Sequence, residues 1–380
     1  MTREEMEQGK RRKGRKYYDY SLLFLIIFLV CFGLVMIYST SSYNAAKYYD
    51  DPSLFLRKQG MFVIAGIPLM IVISKIDYHF YISKLPIIKM RPVILLYFIC
   101  LALQAIVLVV GDVTQGSQRW INVAGITFQP SELTKVCVVL FAAYVVQLAP
   151  KRLDNFIGFM RVVVFVGPLL ALVVAENFST ALIILSIMVA ICFVASRKKA
   201  YFFVSGGIFA VLGAILVFGV SYRSQRIDVW RDVENHPYGY QILQGLYAIA
   251  SGGLFGKGLG NSMQKLGFIP EAHNDMIFSV ICEELGMFGA IAVIILFLLV
   301  IWRLFVIAIN APDLYGGLIA TGVLAHIAVQ VLINIAVVTN SIPSTGIPLP
   351  FISYGGSSLM VLLIEMGIVL SVSNQIQHER

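Results

Sequence analysis

Long apolar runs separated by short polar joints set the pattern of this chain. About 20 apolar residues carry a helix across a bilayer. Ten segments fit that pattern: Tyr20–Ser39, Gly60–Ile76, Pro92–Gly111, Leu133–Gln147, Arg161–Ala175, Ser179–Ser196, Tyr201–Val220, Ile277–Arg303, Gly317–Val337 and Gly355–Val372. The fifth and sixth form one run broken only by Glu176 and Asn177, and the last two are separated by a stretch without charge. The pattern predicts an all-α, polytopic integral membrane protein with about ten transmembrane helices.

Lysines and arginines in the joints orient the spans. With the N-terminus in the cytoplasm, the inner joints hold Lys75, Lys84, Lys89 and Arg91, then Lys151, Arg152 and Arg161, then Arg197, Lys198 and Lys199. The short outer joints hold Lys47, Arg57, Lys58 and Arg119. Both termini are then cytoplasmic. Residues 1–16 form a basic tail, 17–374 the membrane domain and 375–380 a short C-terminal tail. One extracellular loop, about 221–276, is much the largest. Its first half mixes Ile227, Val229, Trp230 and Val233 with Arg223, Arg226, Arg231 and Asp232. Either an amphipathic helix lying on the outer leaflet or an ordinary solvated loop fits this mixture.

Composition sharpens the class. The chain has 380 residues, of which 58% are hydrophobic and 13% charged. Soluble domains carry about a quarter charged residues, so lipid must solvate much of this surface. The net charge of +8 does not point to nucleic acid. Lys10, Arg11, Arg12, Lys13, Arg15 and Lys16 cluster directly before the first span, as an orientation signal and a contact for anionic headgroups. Cys31, Cys100, Cys137, Cys192 and Cys282 all lie in apolar runs, with no disulfide framework and no zinc spacing. The first run is longer than the core of a signal peptide, so a retained span is expected.

The candidate chemistry concentrates in Gly252–Gly286, a glycine-rich loop that runs through Pro270, Glu271, His273 and Asp275 into a span carrying Glu283 and Glu284. Ionisable groups at the edge of a span are functional candidates by default. A nucleotide-binding phosphate loop is excluded, because Lys257 is followed by Gly258 and no strand precedes it. Two readings of the glycines stand: close backbone approach to a lipid-linked diphosphate, with Lys257 or Lys265 as charge partner, or a re-entrant turn. If Pro270 opens a helix, Glu271 and Asp275 lie four apart on one face. Asp275 is then either a partly desolvated base or the cap of the following helix. Glu283 and Glu284 stand about 12 Å further along a continuous helix, too far to share a proton with Asp275. They are expected in structural ion pairs, with Lys135 in the fourth span, or Arg119 and Glu176 near the outer rim, as partners.

Three other features stand out. Pro130-Ser131-Glu132 starts the fourth span, and Arg119 upstream is a candidate phosphate contact. Residues 340–358, NSIPSTGIPLPFISYGGSS, cannot form a regular helix, and irregular backbone at membrane depth must be buried in protein or line a wet cavity. Glu365, alone in the last span, is expected to hydrogen-bond between helices.

These pieces carry a resemblance. DYSLLFLIIFLVCFGLVMIYSTSS, GSQRWINVAGITFQPSELTK, YQILQGLYAIASGGLFGKGLGNSMQKLGFIPEAHNDMIF with EELG, and TGIPLPFISYGGSS together resemble the SEDS family (shape, elongation, division and sporulation) over Asp19 to about Ser373. GLGNSMQKL and PEAHND look more like its FtsW division branch than its RodA elongation branch, where an arginine often replaces Ala272. The resemblance implies a glycosyltransferase that polymerises lipid II into glycan strands on the outer face of the bacterial cytoplasmic membrane, with inversion and loss of undecaprenyl diphosphate. A lipid II flippase and a non-catalytic scaffold are the rival functions. The aspartate of the family's E-x-H-x-D motif maps onto Asp275. That makes Asp275 the expected general base on the acceptor's 4-hydroxyl, with binding of a divalent cation (magnesium or manganese) at the diphosphate as its alternative role. Glu271, His273, Arg119, Lys257 and Lys265 are expected to contact substrate, and Lys135, Glu176, Glu283 and Glu284 to support the site. No spacing of ligands demands a metal. The implied partners are a class B penicillin-binding protein that supplies transpeptidation and other proteins of the division machinery. One departure is Glu176-Asn-Phe-Ser-Thr180, where Asn177 replaces the family's usual aspartate and puts an ionic role there in doubt.

Overall fold

The structure is a computed structural model that describes residues 15–86, 89–114, 117–123, 126–200, 202, 206–207 and 221–378. Helices α1 (Tyr20–Tyr49), α2 (Leu54–Lys75), α3 (Pro92–Val110), α4 (Pro130–Leu148), α5 (Phe156–Glu176) and α6 (Phe178–Ala195) come first. Two short helices follow, α7 (Ser221–Arg231) and α8 (Tyr240–Gly252), then α9 (Ile277–Asn310), α10 (Leu314–Val338) and α11 (Gly356–Ser373). Among the described residues, nine helices are long and apolar enough to cross a membrane, and they coincide with nine of the ten expected spans. The expected span Tyr201–Val220 lies outside the described residues.

Boundaries follow local chemistry. Asn177, which divides the fifth and sixth spans, caps α6 by accepting from the Ser179 and Thr180 amides at 3.1 and 3.3 Å. A neutral carboxamide suffices for that role. Between α3 and α4 the chain departs from an all-helical reading. Strands β2 (Asp112–Thr114), β3 (Ser117–Val123) and β4 (Ile126–Phe128) pair antiparallel. Each pair is separated in sequence by two residues, the second a glycine, a hairpin signal.

The helices divide into an inner and an outer set. From Pro130 to Val146 every residue of α4 except Leu133 is buried, and α10 and α11 are the next most enclosed. These three can carry charged and amide side chains because protein, rather than lipid, surrounds them. The outer helices show their Phe, Leu and Ile side chains to the exterior. Small residues let helices close up: α11 lies along α2, where a Cβ on Gly367 would fall 2.8 Å from the Met70 carbonyl.

At the end where the termini meet, β1 (Arg15–Tyr17) pairs with β5 (Ile376–His378). Asp19 caps α1 through the Leu22 amide at 2.9 Å and accepts from Arg303 Nη2 at 2.7 Å. Its own amide donates to Ser373 Oγ at 3.3 Å, so one buried aspartate ties α1, α9 and α11 together.

At the opposite end, called here the loop end, α9 is broken at Gly286, whose φ of 69° and ψ of −168° leave the helical region. The break frees backbone groups within a span, where each unpaired group is costly. The glycine-rich loop pairs them. Lys257 and Gly258 amides donate to the Glu283 and Glu284 carbonyls, both at 2.9 Å. Met287 and Phe288 amides donate to the Gly253 and Leu254 carbonyls at 2.9 and 3.2 Å. Contact this close excludes side chains: with φ of 77°, a Cβ on Gly256 would fall 2.2 Å from the Glu284 carbonyl. Gly252 and Gly256 therefore serve close approach to α9, in keeping with the re-entrant turn of the two readings.

Side chains complete the join. Glu283 accepts from Lys257 Nζ at 2.6 Å, from the Met263 and Gln264 amides at 3.1 and 3.3 Å, and from Ser262 Oγ. Glu284 accepts from Lys265 Nζ at 2.7 Å and from Ser39 Oγ of α1 at 2.7 Å. Both carboxylates are fully buried. Removing one partner of such a pair leaves an uncompensated buried charge. Lys265→Met should destabilise the protein by about 3 kcal/mol or more, and adding Glu284→Gln should restore part of that, read as the thermal midpoint in detergent. Gly256→Ala should lower the same midpoint by an amount equivalent to about 2 kcal/mol or more. Gly167→Ala, in α5 with nothing within 4 Å of the new Cβ, should leave it level or raise it. Equal midpoints for the two alanine variants would remove the packing role of Gly256.

Candidate active site

Residues between the docked loop and α9 form turns, not a helix. Glu271 has a φ of 46° and α9 begins only at Ile277, so the expected single helical face for Glu271 and Asp275 does not exist. Pro270 opens a turn in which the Asn274 amide donates to the Glu271 carbonyl at 2.9 Å. The N-cap of α9 is Met276, without a side-chain cap, so Asp275 does not serve as the helix cap either.

Asp275 instead stands among four elements. Gln241 of α8 donates to its Oδ1 at 3.3 Å. Asn334 of α10 donates to its main-chain carbonyl at 2.9 Å. Gly346, from the uncharged stretch, faces its Oδ2, 4.0 Å from where a Cβ would sit. Arg226 of α7 donates to the Ser344 carbonyl at 2.8 Å, and its charge acts on the aspartate. Burial pushes the Asp275 carboxyl above the usual carboxylate range, the charge of Glu271 adds to the rise, and Arg226 and Gln241 oppose it. As a residue Asp275 is neither fully buried nor exposed. A carboxylate with a raised pKa is equipped to accept a proton from a hydroxyl.

Other expected site residues fall in different places. Glu271 is exposed and accepts from Asn274 Nδ2 at 2.7 Å. His273 is buried between Phe55 and Tyr354, with ring centroids 4.5 and 5.3 Å away, and its carbonyl accepts from the Tyr354 amide at 2.9 Å. Burial pushes its imidazole down to about 4, so it is neutral at ordinary pH. His273 is a packing residue that pins the turn, which corrects its assignment to substrate. Lys265 is likewise turned inward, 6% exposed and held by Glu284, where a diphosphate has no access. Lys257 pairs with Glu283 and keeps 33% of its side chain exposed. The partners of Glu283 and Glu284 are these two lysines, not Lys135, Arg119 or Glu176.

Two further polar clusters lie among the helices. Arg119 on β3 donates to the Glu176 carbonyl at 3.1 Å. With the Gln104 amide oriented to satisfy its neighbours, its nitrogen donates to the buried Glu176 carboxylate at 2.6 Å. Lys135 pairs with Glu132 one helical turn away at 2.9 Å, and Ser358 donates to Glu132 at 2.6 Å. Glu365 does bond between helices, to His326 Nδ1 at 2.8 Å.

The uncharged stretch is buried at Ile347 and at 349–353 and partly exposed over the rest, with Ser341 and Gly346 exposed. Trp230 Nε1 of α7 donates to the Asn340 carbonyl at 2.9 Å, and Val229 and Val233 pack with Ile242 of α8. α7 is thus a helix laid on protein, which decides against a solvated loop. Arg226, Gln241 and Asn334 were not singled out from sequence. Only Asn334 carried a signal, as a carboxamide inside an apolar run. An apolar concavity of about 600 Å³, lined by Ile295, Leu298, Trp302 and Phe305, lies away from this chemistry and offers almost no polar surface. Among the described residues no three His, Cys, Asp or Glu side chains gather as a metal cluster.

Comparison with known proteins agrees with this architecture. The family model for FtsW, RodA and SpoVE, described as cell cycle protein, matches residues 20–378. The probable peptidoglycan glycosyltransferase FtsW of Geobacter sp. (strain M18) is 37% identical over 367 residues, covering 95% of this chain and 98% of that protein. Stage V sporulation protein E of Bacillus subtilis (strain 168) is 38% identical over 364 residues, covering 93% and 96%. A solved chain from a peptidoglycan synthase complex superposes with a TM-score of 0.78 at 26% identity, covering 95% of this chain and 99% of that one. Thermus thermophilus rod shape determining protein RodA superposes with a TM-score of 0.68 at 26% identity, covering 95% and 98%. A bundle matched from its first helix to its last strand by both sequence and shape leaves one assignment: the chain belongs to the FtsW/RodA/SpoVE family of cell cycle proteins.

Proposed function

We propose that this protein is a peptidoglycan glycosyltransferase that polymerises lipid II at the outer face of the bacterial cytoplasmic membrane, for septal synthesis in cell division. The observation that carries it is Asp275: a half-buried carboxylate at the loop end of a multi-pass membrane protein whose relatives are named as glycosyltransferases. The acceptor's 4-hydroxyl gives its proton to Asp275 as its oxygen attacks the donor's anomeric carbon. The bond to undecaprenyl diphosphate breaks, the diphosphate leaves with the electron pair, and the configuration inverts. Arg226 is the cation whose charge already reaches this carboxylate, and Arg119 and Lys257 remain candidate diphosphate contacts. Magnesium favours one or two carboxylates plus phosphate oxygens over an all-protein cage, and Asp275 beside a diphosphate supplies that donor set. Such a cation would neutralise charge on the leaving diphosphate. The likeness to a chain from a peptidoglycan synthase complex supports a penicillin-binding transpeptidase of class B as partner. The basic N-terminal tail, placed in the cytoplasm by the lysine and arginine bias, is available to other division proteins.

Two measurements test the reading. Purified with its transpeptidase partner and given lipid II in detergent, the wild type should make glycan strands, and Asp275→Asn should slow polymerisation about 100-fold or more. Equal polymer from both would remove Asp275 from the chemistry, and lipid scrambling in vesicles without polymer would favour a flippase. The pH profile provides a second test with a defined sign. A base works deprotonated, so the rate rises with pH through the carboxyl's pKa. Glu271→Gln removes a negative charge that raises that pKa, and should move the acidic limb to lower pH. Arg226→Gln removes a positive charge that lowers it, and should move the limb to higher pH. Limbs that stay in place in both variants would contradict Asp275 as the titrating group.

A further inference from the structure

His326, Gln330 and Asn334 lie four residues apart along α10, on one face, and all three are buried. They form a polar stripe that rises about 12 Å through an otherwise apolar helix. At its top, Asn334 Nδ2 donates to two main-chain carbonyls, that of Asp275 at 2.9 Å and that of Ile347 at 2.8 Å. Both protons of the carboxamide are engaged, while Asn334 Oδ1 is buried without a partner. Turning the amide over would set its oxygen against both carbonyls, so its orientation is fixed by the two carbonyls it joins. A leucine would fit an apolar helix and leave no orphaned oxygen. The carboxamide's contribution is therefore its pair of donated bonds.

The lower residues hold the same loop. Gln330 Nε2 donates to the Pro348 carbonyl at 3.0 Å, next to the carbonyl held by Asn334. Pro348 and Pro350 lack amide protons, so this loop is rich in acceptors and its donors must come from elsewhere. With its nitrogen so engaged, Gln330 Oε1 accepts from Lys135 Nζ at 3.2 Å and from His326 Nε2 at 2.9 Å. That assigns the Nε2 proton to His326, and the 2.8 Å contact between Nδ1 and Glu365 then requires one more proton between them. The Lys135–Glu132 pair, with Ser358 on Glu132, completes the foundation.

We propose that Asn334 is a positioning residue for Asp275, fixing the aspartate's backbone against the proline-rich loop. It sits at the head of a buried hydrogen-bonded stripe that Gln330 and His326 continue toward Glu365. Asn334 never meets the reacting atoms. It sets the depth at which the Asp275 carboxylate sits and thereby its exposure to water. The charged groups that act on that carboxylate are Glu271 from its own turn and Arg226 from α7, and Asn334 leaves both in place. This inference rests on the polymerase reading above with Asp275 as base.

The test uses the full chain with its partner, and reads lipid II polymerisation together with hydrogen exchange. Asn334→Leu keeps the size and removes both donors, and Asn334→Ala serves if the leucine variant does not fold. Either should lower kcat about 10-fold with KM changed by less than about twofold, since small displacements of a catalytic group act on the chemical step. The acidic limb of the pH profile should move to lower pH, because a loosened turn admits water to Asp275. Exchange should rise selectively in peptides covering 270–277 and 345–349. Asn334→Gln, which keeps the carboxamide on a longer arm, should regain part of the rate and of the protection. Asn310→Ala, at the far end of α9, should match the wild type in all readouts. A general stability role would lower the melting temperature without moving the pH limb or localising the exchange, and that result would overturn the proposal. If exchange rises as expected while Asp275→Asn still polymerises like the wild type, the anchoring stands and the base assignment fails.

Discussion

The break in α9 at Gly286 is the constraint on which the loop end depends. A span cannot leave the amides and carbonyls freed by such a break unpaired where no water reaches them. The glycine-rich loop meets that demand with four backbone hydrogen bonds, and its close approach requires positions without a Cβ. Glu283 and Glu284 then lock the loop from within, each with its own lysine. A loop fixed in this way holds its continuation, 270–276, against α10 and the proline-rich stretch. Asp275 can be half-buried only because that continuation cannot swing out into water.

The inner helices carry the complementary part of the design. α4, α10 and α11 are enclosed by protein, so Lys135, Glu132, His326 and Glu365 meet partners instead of lipid. Gln330 and Asn334 of α10 donate to carbonyls of an irregular loop that has few donors of its own. From the other side, Arg226 and Trp230 of α7 hold the same loop at Ser344 and Asn340. The loop is therefore gripped from two directions, and Asp275 lies where the two grips meet.

How much of this was legible in the sequence depends on the range of the interaction. Asp275 stood out because a carboxylate beside a span must have a reason to be there. Lys265 was misread as a cation open to a diphosphate, because no local pattern reveals that Glu284 takes it up. His273 resembled a ligand until Phe55 and Tyr354 closed around it. Glu365 looked alone because its partner, His326, belongs to another helix. Asn334 was visible as a carboxamide in an apolar run, but its targets, the carbonyls of residues 275 and 347, have no sequence signature.

The sequence by itself determined the spans, their order and the position of the polar stretch at one end. Those follow from the preference of each segment for lipid or water, which is a property of composition along the chain. Only the tertiary structure decided which carboxylates sit in ion pairs, which lysines are occupied, and which backbone groups the glycines exist to meet. Those outcomes depend on groups far apart in sequence reaching hydrogen-bonding distance, and in a medium without water the partner a polar group finds determines what it can do.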